Sequence, residues 1–517
     1  MRIATNVSAI VSNNALQKSQ DRLTKSIARL SSGYKINSSS DDAAGYAISE
    51  KMRLQLRGLN QADNNAADGV SVLHTAEGAM EEIQSMLARM KELSVQAANG
   101  TNSVDERSAI QSEIDSLNSE IDRISSNTEF NSQTLISGNL SRRVYSNYEG
   151  VNQIEVSDNF VAGNYGITIT QDARQAIVVG NGAVTMSDTA TGTKEQAGTI
   201  SMNGYGIEIS EGDTLAGIMG KLVDGADKIG GRVFAITAGA TNDTKVNGTD
   251  YAGYEPQTSY AGNNIVFMTK ESGSSKTMNI TCSNAELANM LGIATAATNS
   301  GMYAEGSDVQ AEFTLDNDGK RVGFADSAVI STSGTRVTVK DVNNRTFVTD
   351  VPSNVAGTQF SDTAKADDKS TATSTQTAKV TQEVTDVGTM SVHVGANENQ
   401  VILIDIPAVT SYTLGTENLN VMTSVTASEA IDTIDTAVAY ANRVRSQMGA
   451  YENRFEHTTN NLGTASENLT SAISTMTDTD MAEEMTEYTS LNVMTQAATS
   501  ILAQANERPS TVLQILQ

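Results

Sequence analysis

The sequence has no tryptophan, only four prolines and a single cysteine in 517 residues, and aromatic residues make up 4% of it. Each shortage excludes something. With Cys282 alone, no intramolecular disulfide and no cysteine-based zinc site can form. The three histidines, His74, His393 and His457, stand far apart. A chain so poor in aromatics has few anchors for a deep small-molecule pocket. Basic charge is also short: 35 Lys and Arg face 61 Asp and Glu, a net charge of −26. That balance argues against nucleic acid, whose phosphates are bound by basic patches that release counterions. It argues equally against an anionic membrane surface. No run of about 18 apolar residues exists to span a bilayer. Met1–Ile10 is interrupted by Thr5, Asn6 and Ser8, so it lacks the apolar stretch of a secretory signal. If the protein leaves the cell, another route is expected.

What is present differs between the ends and the middle. Residues 1–140 and 418–508 are rich in Ala, Ser, Asn, Gln and charge. Leu73, Ala76, Met80, Ile83, Leu87 and Met90 recur at alternating steps of three and four. So do Ile110, Ile114, Leu117, Ile121 and Ile124, and again Ala437, Ala441, Val444, Met448, Tyr451 and Phe455. Leu462, Leu469 and Met476 follow at sevens. This alternation predicts coiled-coil-like helices, each burying a narrow stripe. The extreme ends carry stripes too: Ile3, Val7, Ile10, Leu16, Leu23, Ile27 and Leu30, then Met481, Met485, Tyr488, Leu491, Met494, Ala498 and Ile501. Chain ends fray unless something holds them. Two helices pairing only with each other bury little, so these stripes predict further partners.

The middle reads as β structure. Asn164–Thr170 alternates, Ile207–Ser210 follows the turn dipeptide Asn203-Gly204, and Val233–Thr237, Ile265–Thr269 and Val401–Ile406 are further strands. Short alternating stretches surround Phe313, Val329 and Val337, and Ser361–Thr377 reads as loop or weak strand. One helix is predicted over Thr214–Leu222 with Asp213 as its cap, and a helical turn at Leu287–Leu291. The expected fold class is therefore α+β and multidomain, with β-rich domains inserted into a helical scaffold.

No catalytic or metal-binding constellation stands out, and no cofactor is implied. There is no HExxH. Glu271–Thr277 ends like a phosphate loop but lacks the glycines that cradle an anion, so a hairpin turn is expected there. Asp41-Asp42 beside Ser38–Ser40 suits a capped turn better than a metal site. Cys282 is expected to be buried and His74 structural.

The N-terminal run MRIATNVSAIVSNNALQKSQDRLTKSIARLSSGYKINSSSDDAAGYAISEKMR resembles bacterial flagellins almost position for position. The likeness continues through GLNQADNNAADGVSVLHTAEGAMEEIQSMLARMKELSVQAANGTNS and EIDRISSNTEFN. It resumes at IDTIDTAVAYANRVRSQMGAYENRFEHTTNNL and ends at SILAQANERPSTVLQILQ. These blocks cover about half the chain. The resemblance implies a structural polymer subunit, not an enzyme: its terminal helices assemble into the flagellar filament for swimming. Residues 1–44 with 476–517 would form the inner coiled-coil layer. Residues 45–140 with 390–475 would form a helical rod with a β-hairpin near 392–406. Residues 141–389 would make surface-exposed outer domains, two in number. The polymerisation interface would hold Ile3, Val7, Ile10, Leu23, Ile27, Leu30, Met485, Tyr488, Leu491, Ile501 and Leu502.

The resemblance also implies partners and a destination. The subunit would pass unfolded through a type III conduit to the cell exterior. An export chaperone would hold its C-terminal helix, and hook-junction and cap proteins would flank the polymer. LARMKELSVQ (Leu87–Gln96) is similar to the family segment bound by Toll-like receptor 5, with Arg89, Leu93 and Glu113 at the contact positions. Arg89 and Leu93 lie off the predicted seam and are expected to be exposed. The competing reading is a hook–filament junction or cap-type protein with similar end helices.

Overall fold

The computed structural model describes residues 6–515 except 158–159, 181, 187–196, 238–259, 294–300, 317, 343–344, 354, 357–358, 362–370, 375–376 and 386. Its helices are α1 (Val7–Ser32), α2 (Ala43–Ala98), α3 (Val104–Asn127), α4 (Leu215–Lys228), α5 (Ala285–Met290), α6 (Ser411–Leu414), α7 (Ser424–Thr477) and α8 (Met481–Ile515). The long helices stand at the ends of the chain and the strands in its middle, as the expected α+β class requires. The chain divides into two compact units, one of residues 1–70, 392–402 and 453–517, the other of 71–391 and 403–452.

In the first unit, α1 begins because the Asn6 side chain accepts the Ala9 amide at 3.0 Å. It ends at Gly33, whose φ of +77° is the left-handed conformation that closes a helix at little steric cost. The next turn is held by carboxylates. Asp41 Oδ2 accepts the Ser38 amide and hydroxyl, each at 3.0 Å. Asp42 Oδ1 accepts the amides of Ala44 and Gly45 and so starts α2. The Ser38 hydroxyl holds Asp41 below the usual carboxylate range. This is the capped turn expected of Asp41-Asp42. Leu59, Ala62 and Leu462 form a small core, with Ala396, Ala465 and Leu469 packed against it.

In the second unit, α2 and α7 run antiparallel. His74 meets Glu452, Gln84 meets Asn442, Lys91 meets Asp435, and Ser424 Oγ donates to the Ala98 carbonyl. The predicted stripe of α2 is buried throughout, and Ala437, Ala441, Val444, Met448 and Tyr451 are buried on α7. A complete capping box, Ser103 with Glu106, starts α3. Its Ile110, Ile114 and Ile121 are buried.

Two large hydrophobic cores and a smaller one, of Ile177, Val179, Phe234, Ile236, Val266 and Met268, fill the inserted β region among the described residues. The first joins a three-stranded sheet (175–179, 263–272, 231–237) and a four-stranded sheet (302–305, 277–282, 198–202, 205–209) with α4 and α5. Its hairpin turns at Asn203 and Gly204, with φ of +48° and +86°, as the dipeptide predicts. The second core lies between the sheet 310–313, 163–171, 378–384, 144–146 and the sheet 329–333, 336–340, 346–350, 152–156. Phe160, Tyr165, Phe324 and Phe347 cluster there, mostly edge to face, with centroids 5.1 to 6.3 Å apart.

Two local expectations are corrected. The cap of α4 is Thr214, not Asp213. Asp213 instead accepts from Lys221 Nζ at 2.6 Å and from the Ser210 amide, and the Lys221 ammonium lowers its pKa. The turn at 273–276 is not a hairpin. Strand 263–272 pairs with 175–179 and 231–237, while 277–282 pairs with 198–202 and 302–305. The turn passes the chain from one sheet to the other.

Candidate assembly surface

The terminal pair α1 and α8 is built by long-range polar contacts around a thin apolar seam. The Asn6 amide group donates to the Ala505 carbonyl at 2.9 Å. Arg22 meets Glu487 at 3.0 Å and Arg29 meets Glu484 at 3.6 Å. Tyr34 and Asp478 form an isolated antiparallel bridge, which the Lys35 amide extends to the Thr477 carbonyl. Between these contacts Leu16, Leu23, Leu30, Tyr488 and Leu502 are only half-buried, and Leu491 alone of the described stripe positions is fully buried.

Most of the other described stripe positions face outward. Val7 is 63% exposed and Ile10 52%, and Val11, Ile27, Met481, Met485, Val493, Met494 and Ile501 are exposed too. Each helix thus has one apolar side against its partner and another in water. Contiguous exposed apolar surface marks a site of association. Of the positions expected at a polymerisation interface, Ile3 lies outside the described residues.

The segment around Arg89 is a second surface. Arg89 donates from Nε to Glu113 Oε1 at 3.0 Å and from Nη1 to Glu92 at 3.2 Å. Glu113 first, then Glu92, raises the pKa of this exposed guanidinium. The structure therefore brings Arg89 and Glu113 together across α2 and α3. Leu93 departs from expectation: it is 2% exposed, not open to solvent. The buried face of α2 takes in Leu93 as well as Met90 and Ala97 and is wider than the predicted seam.

Polar contacts tie the inserted β region to α6, α7 and the segment between them in the same unit, and none has a local sequence signal. Arg443 on α7 grips Glu155 with two nitrogens, at 3.1 and 2.7 Å. Burial opposes the Arg443 charge, but Glu155 outweighs it and the net shift is upward. Lys276 lies 2.8 Å from Glu271 and 3.7 Å from Glu429 on α7. Arg336 donates to the carbonyls of Tyr412 and Thr413 at 2.5 and 3.1 Å, closing the end of α6. Asn420 donates to the Lys228 carbonyl at 2.7 Å. Arg443 and Arg336 could have been found only by knowing which distant residues face them.

The comparisons with known proteins agree with the helical ends. The bacterial flagellin N-terminal helical region matches residues 3–141, and the bacterial flagellin C-terminal helical region matches 431–516. A flagellin of Clostridium tyrobutyricum is 30% identical over 510 residues, 96% of this chain and 98% of that protein. A flagellin of Salmonella typhimurium is 30% identical over 547 residues, covering 100% and 99%. The solved structure of FliC from Burkholderia pseudomallei matches 75% of this chain and 99% of its own at 14% identity, with a TM-score of 0.22, too low to bear on the fold. Both helical ends and the full length between them match, so the chain belongs to the bacterial flagellin family, structural and non-enzymatic subunits that self-assemble into the flagellar filament.

Proposed function

We propose that this flagellin polymerises through the outward stripes of α1 and α8 and that the filament serves swimming motility. The observation that carries the reading is the pair of helices with apolar residues on two sides and only one side covered. Neighbouring copies supply the missing burial, at about 25 cal/mol per Å² of apolar surface. Residues 1–44 with 476–517 make the inner layer, 45–140 with 390–475 the rod, and 141–389 the outer surface. The subunit reaches the exterior through the flagellar export conduit. Before that, the chaperone lays the amphipathic C-terminal helix in a groove, the usual way such a helix is recognised. Hook-junction and cap proteins adjoin the polymer's ends.

Electron microscopy after adding short filament seeds to purified protein tests this directly. Long tubes of constant diameter are expected. Monomers that never extend, with the rod folded by circular dichroism, would refute polymerisation and favour a junction or cap role.

Recognition by Toll-like receptor 5 has a separate support, the Arg89–Glu113 pair on an exposed face. Arg89 and Glu113 offer a charged contact, whereas Leu93 is buried. Lys91 pairs with Asp435 on α7. Titrating soluble receptor against wild type and Arg89→Ala gives the test, with equal affinities ending the assignment.

A further inference from the structure

The face shared by α2 and α7 carries a group that none of these functions uses. His74 and Glu77 stand one turn apart on α2, a spacing that puts them on the same face. Glu452 faces them from α7, with its Oε1 3.5 Å from His74 Nε2. One ligand atom from each of the three lies within 4.8 Å of the other two. Ligands held about 2.0–2.2 Å from a tetrahedral ion stand roughly 3.4 Å apart. The His74–Glu452 edge already has that length. The remaining edges close by rotating carboxylates that are both partly open to solvent.

The donor set selects the ion. An imidazole beside two carboxylates suits zinc and its neighbours, whereas calcium and magnesium take oxygen ligands only. Three protein ligands with a fourth position left to water is a familiar zinc arrangement. The surroundings orient one ligand. Arg445 Nη2 lies 3.3 Å from Glu77 Oε1, while its Nη1 donates to Gln84 Oε1 at 2.5 Å. Gln84 in turn donates to Asn442 at 3.0 Å. Carboxylate ligands are commonly held by such outer partners. Arg445 also offsets one of the two negative charges, so the site is a modest one.

We propose that His74, Glu77 and Glu452 form a binding site for a zinc-class divalent cation that clips α2 to α7. The ligands come from two helices and assemble only when those helices pair. Binding therefore stabilises the folded rod.

Calorimetric titration of Zn²⁺ into the full-length monomer is the test, with Ca²⁺ and Mg²⁺ as comparisons and thermal unfolding as a second readout. One site for Zn²⁺, a higher melting temperature with Zn²⁺, and much weaker binding of Ca²⁺ are expected. His74→Ala and Glu452→Gln should each weaken Zn²⁺ binding at least about ten-fold, the scale on which losing even an outer partner acts. Both side chains are more than a third exposed, so the variants keep the fold, which circular dichroism checks. Unchanged Zn²⁺ affinity in His74→Ala would assign the ion to His393, His457 or Cys282 and overturn the proposal. So would Ca²⁺ binding as tightly as Zn²⁺, or no Zn²⁺ binding by the wild type.

Discussion

The α2 stripe and the α1–α8 pair share one kind of sequence pattern and end in opposite states. Along α2, Leu73, Ala76, Met80, Ile83, Leu87 and Met90 are all buried. Along α1, Val7, Ile10 and Ile27 remain exposed, and Leu16, Leu23 and Leu30 are half-covered. The difference is the number of neighbours. α2 has α7 on one side and α3 beside it, whereas among the described residues α1 packs mainly on α8. The seam of the terminal pair also contains a polar knot. Ser26 and Glu484 are buried, and Ser26 Oγ, Arg29 Nε and Glu484 Oε1 have no hydrogen-bond partner among the described residues. Buried polar atoms left unpaired cost free energy. An apolar stripe thus encodes a need for burial, and the local helix count decides whether one chain can meet it.

Charge substitutions break the comparison with the largest effect. Ile83→Asp places a carboxylate where Ile83 is fully buried, and loss of cooperative rod unfolding is expected in the monomer. Ile10→Asp should leave monomer unfolding within about 0.5 kcal/mol of wild type, as exposed positions allow. It should nevertheless stop filament growth on seeds. Urea unfolding of both variants, with microscopy of the second, reads the two outcomes. Normal tubes from Ile10→Asp would show that the outward face of α1 has no role in assembly.

A smaller effect separates the units by pH. Burial first, then the hydrogen bond to Asp350, pushes the Tyr412 phenol from 10.0 up to about 12. Burial and Glu305 do the same for Tyr303. A raised folded-state pKa gives stability that is whole below pH 10 and is lost as pH rises toward 12. Both phenols lie in the unit of residues 71–391 and 403–452. Near-ultraviolet circular dichroism should report loosening of that unit in this alkaline window. The double variant Tyr303→Phe, Tyr412→Phe should lose less stability than wild type between roughly pH 9 and roughly pH 11.5. An identical loss would remove these phenols as the cause.

How much of this was legible depends on whether the signal was local. The stripe from Leu73 to Met90 was readable because each residue meets its neighbour one turn away. Leu93 lies off that stripe and yet is buried, and nothing near it in sequence announces the cover. Strands 163–171 and 310–313 were visible in their alternation. Their common sheet was not, since 163–171 also pairs with 378–384, far along the chain. The Arg443–Glu155 contact spans 288 positions and had no signal at all. At the assembly surface the stripes themselves were legible. Which of their sides stays uncovered was not, because that depends on the register in which α1 and α8 pair. His74 reads as structural from its place on a helical pattern near the seam; its carboxylate neighbour Glu452 comes from the other end of the chain and has no local signal.

The smallest effect sharpens the comparison at single hydrogen bonds. Ser103 caps α3, whose Ile110, Ile114 and Ile121 are buried, so its loss is felt by a packed helix. Ser103→Ala should lower global unfolding stability by about 1 kcal/mol. Asn6 caps α1 in the same way, but the first turns of α1 carry exposed Val7, Ile10 and Val11. Those turns can open without disturbing a core, since the ends of a helix fray at free energies far below that of global unfolding. Asn6→Ala should therefore speed amide exchange at Ala9 and leave the global midpoint where it is. A fall in the midpoint as large as that of Ser103→Ala would mean that α1 is bound into a cooperative unit even in the monomer, and that its outward stripe is not what holds it in the filament.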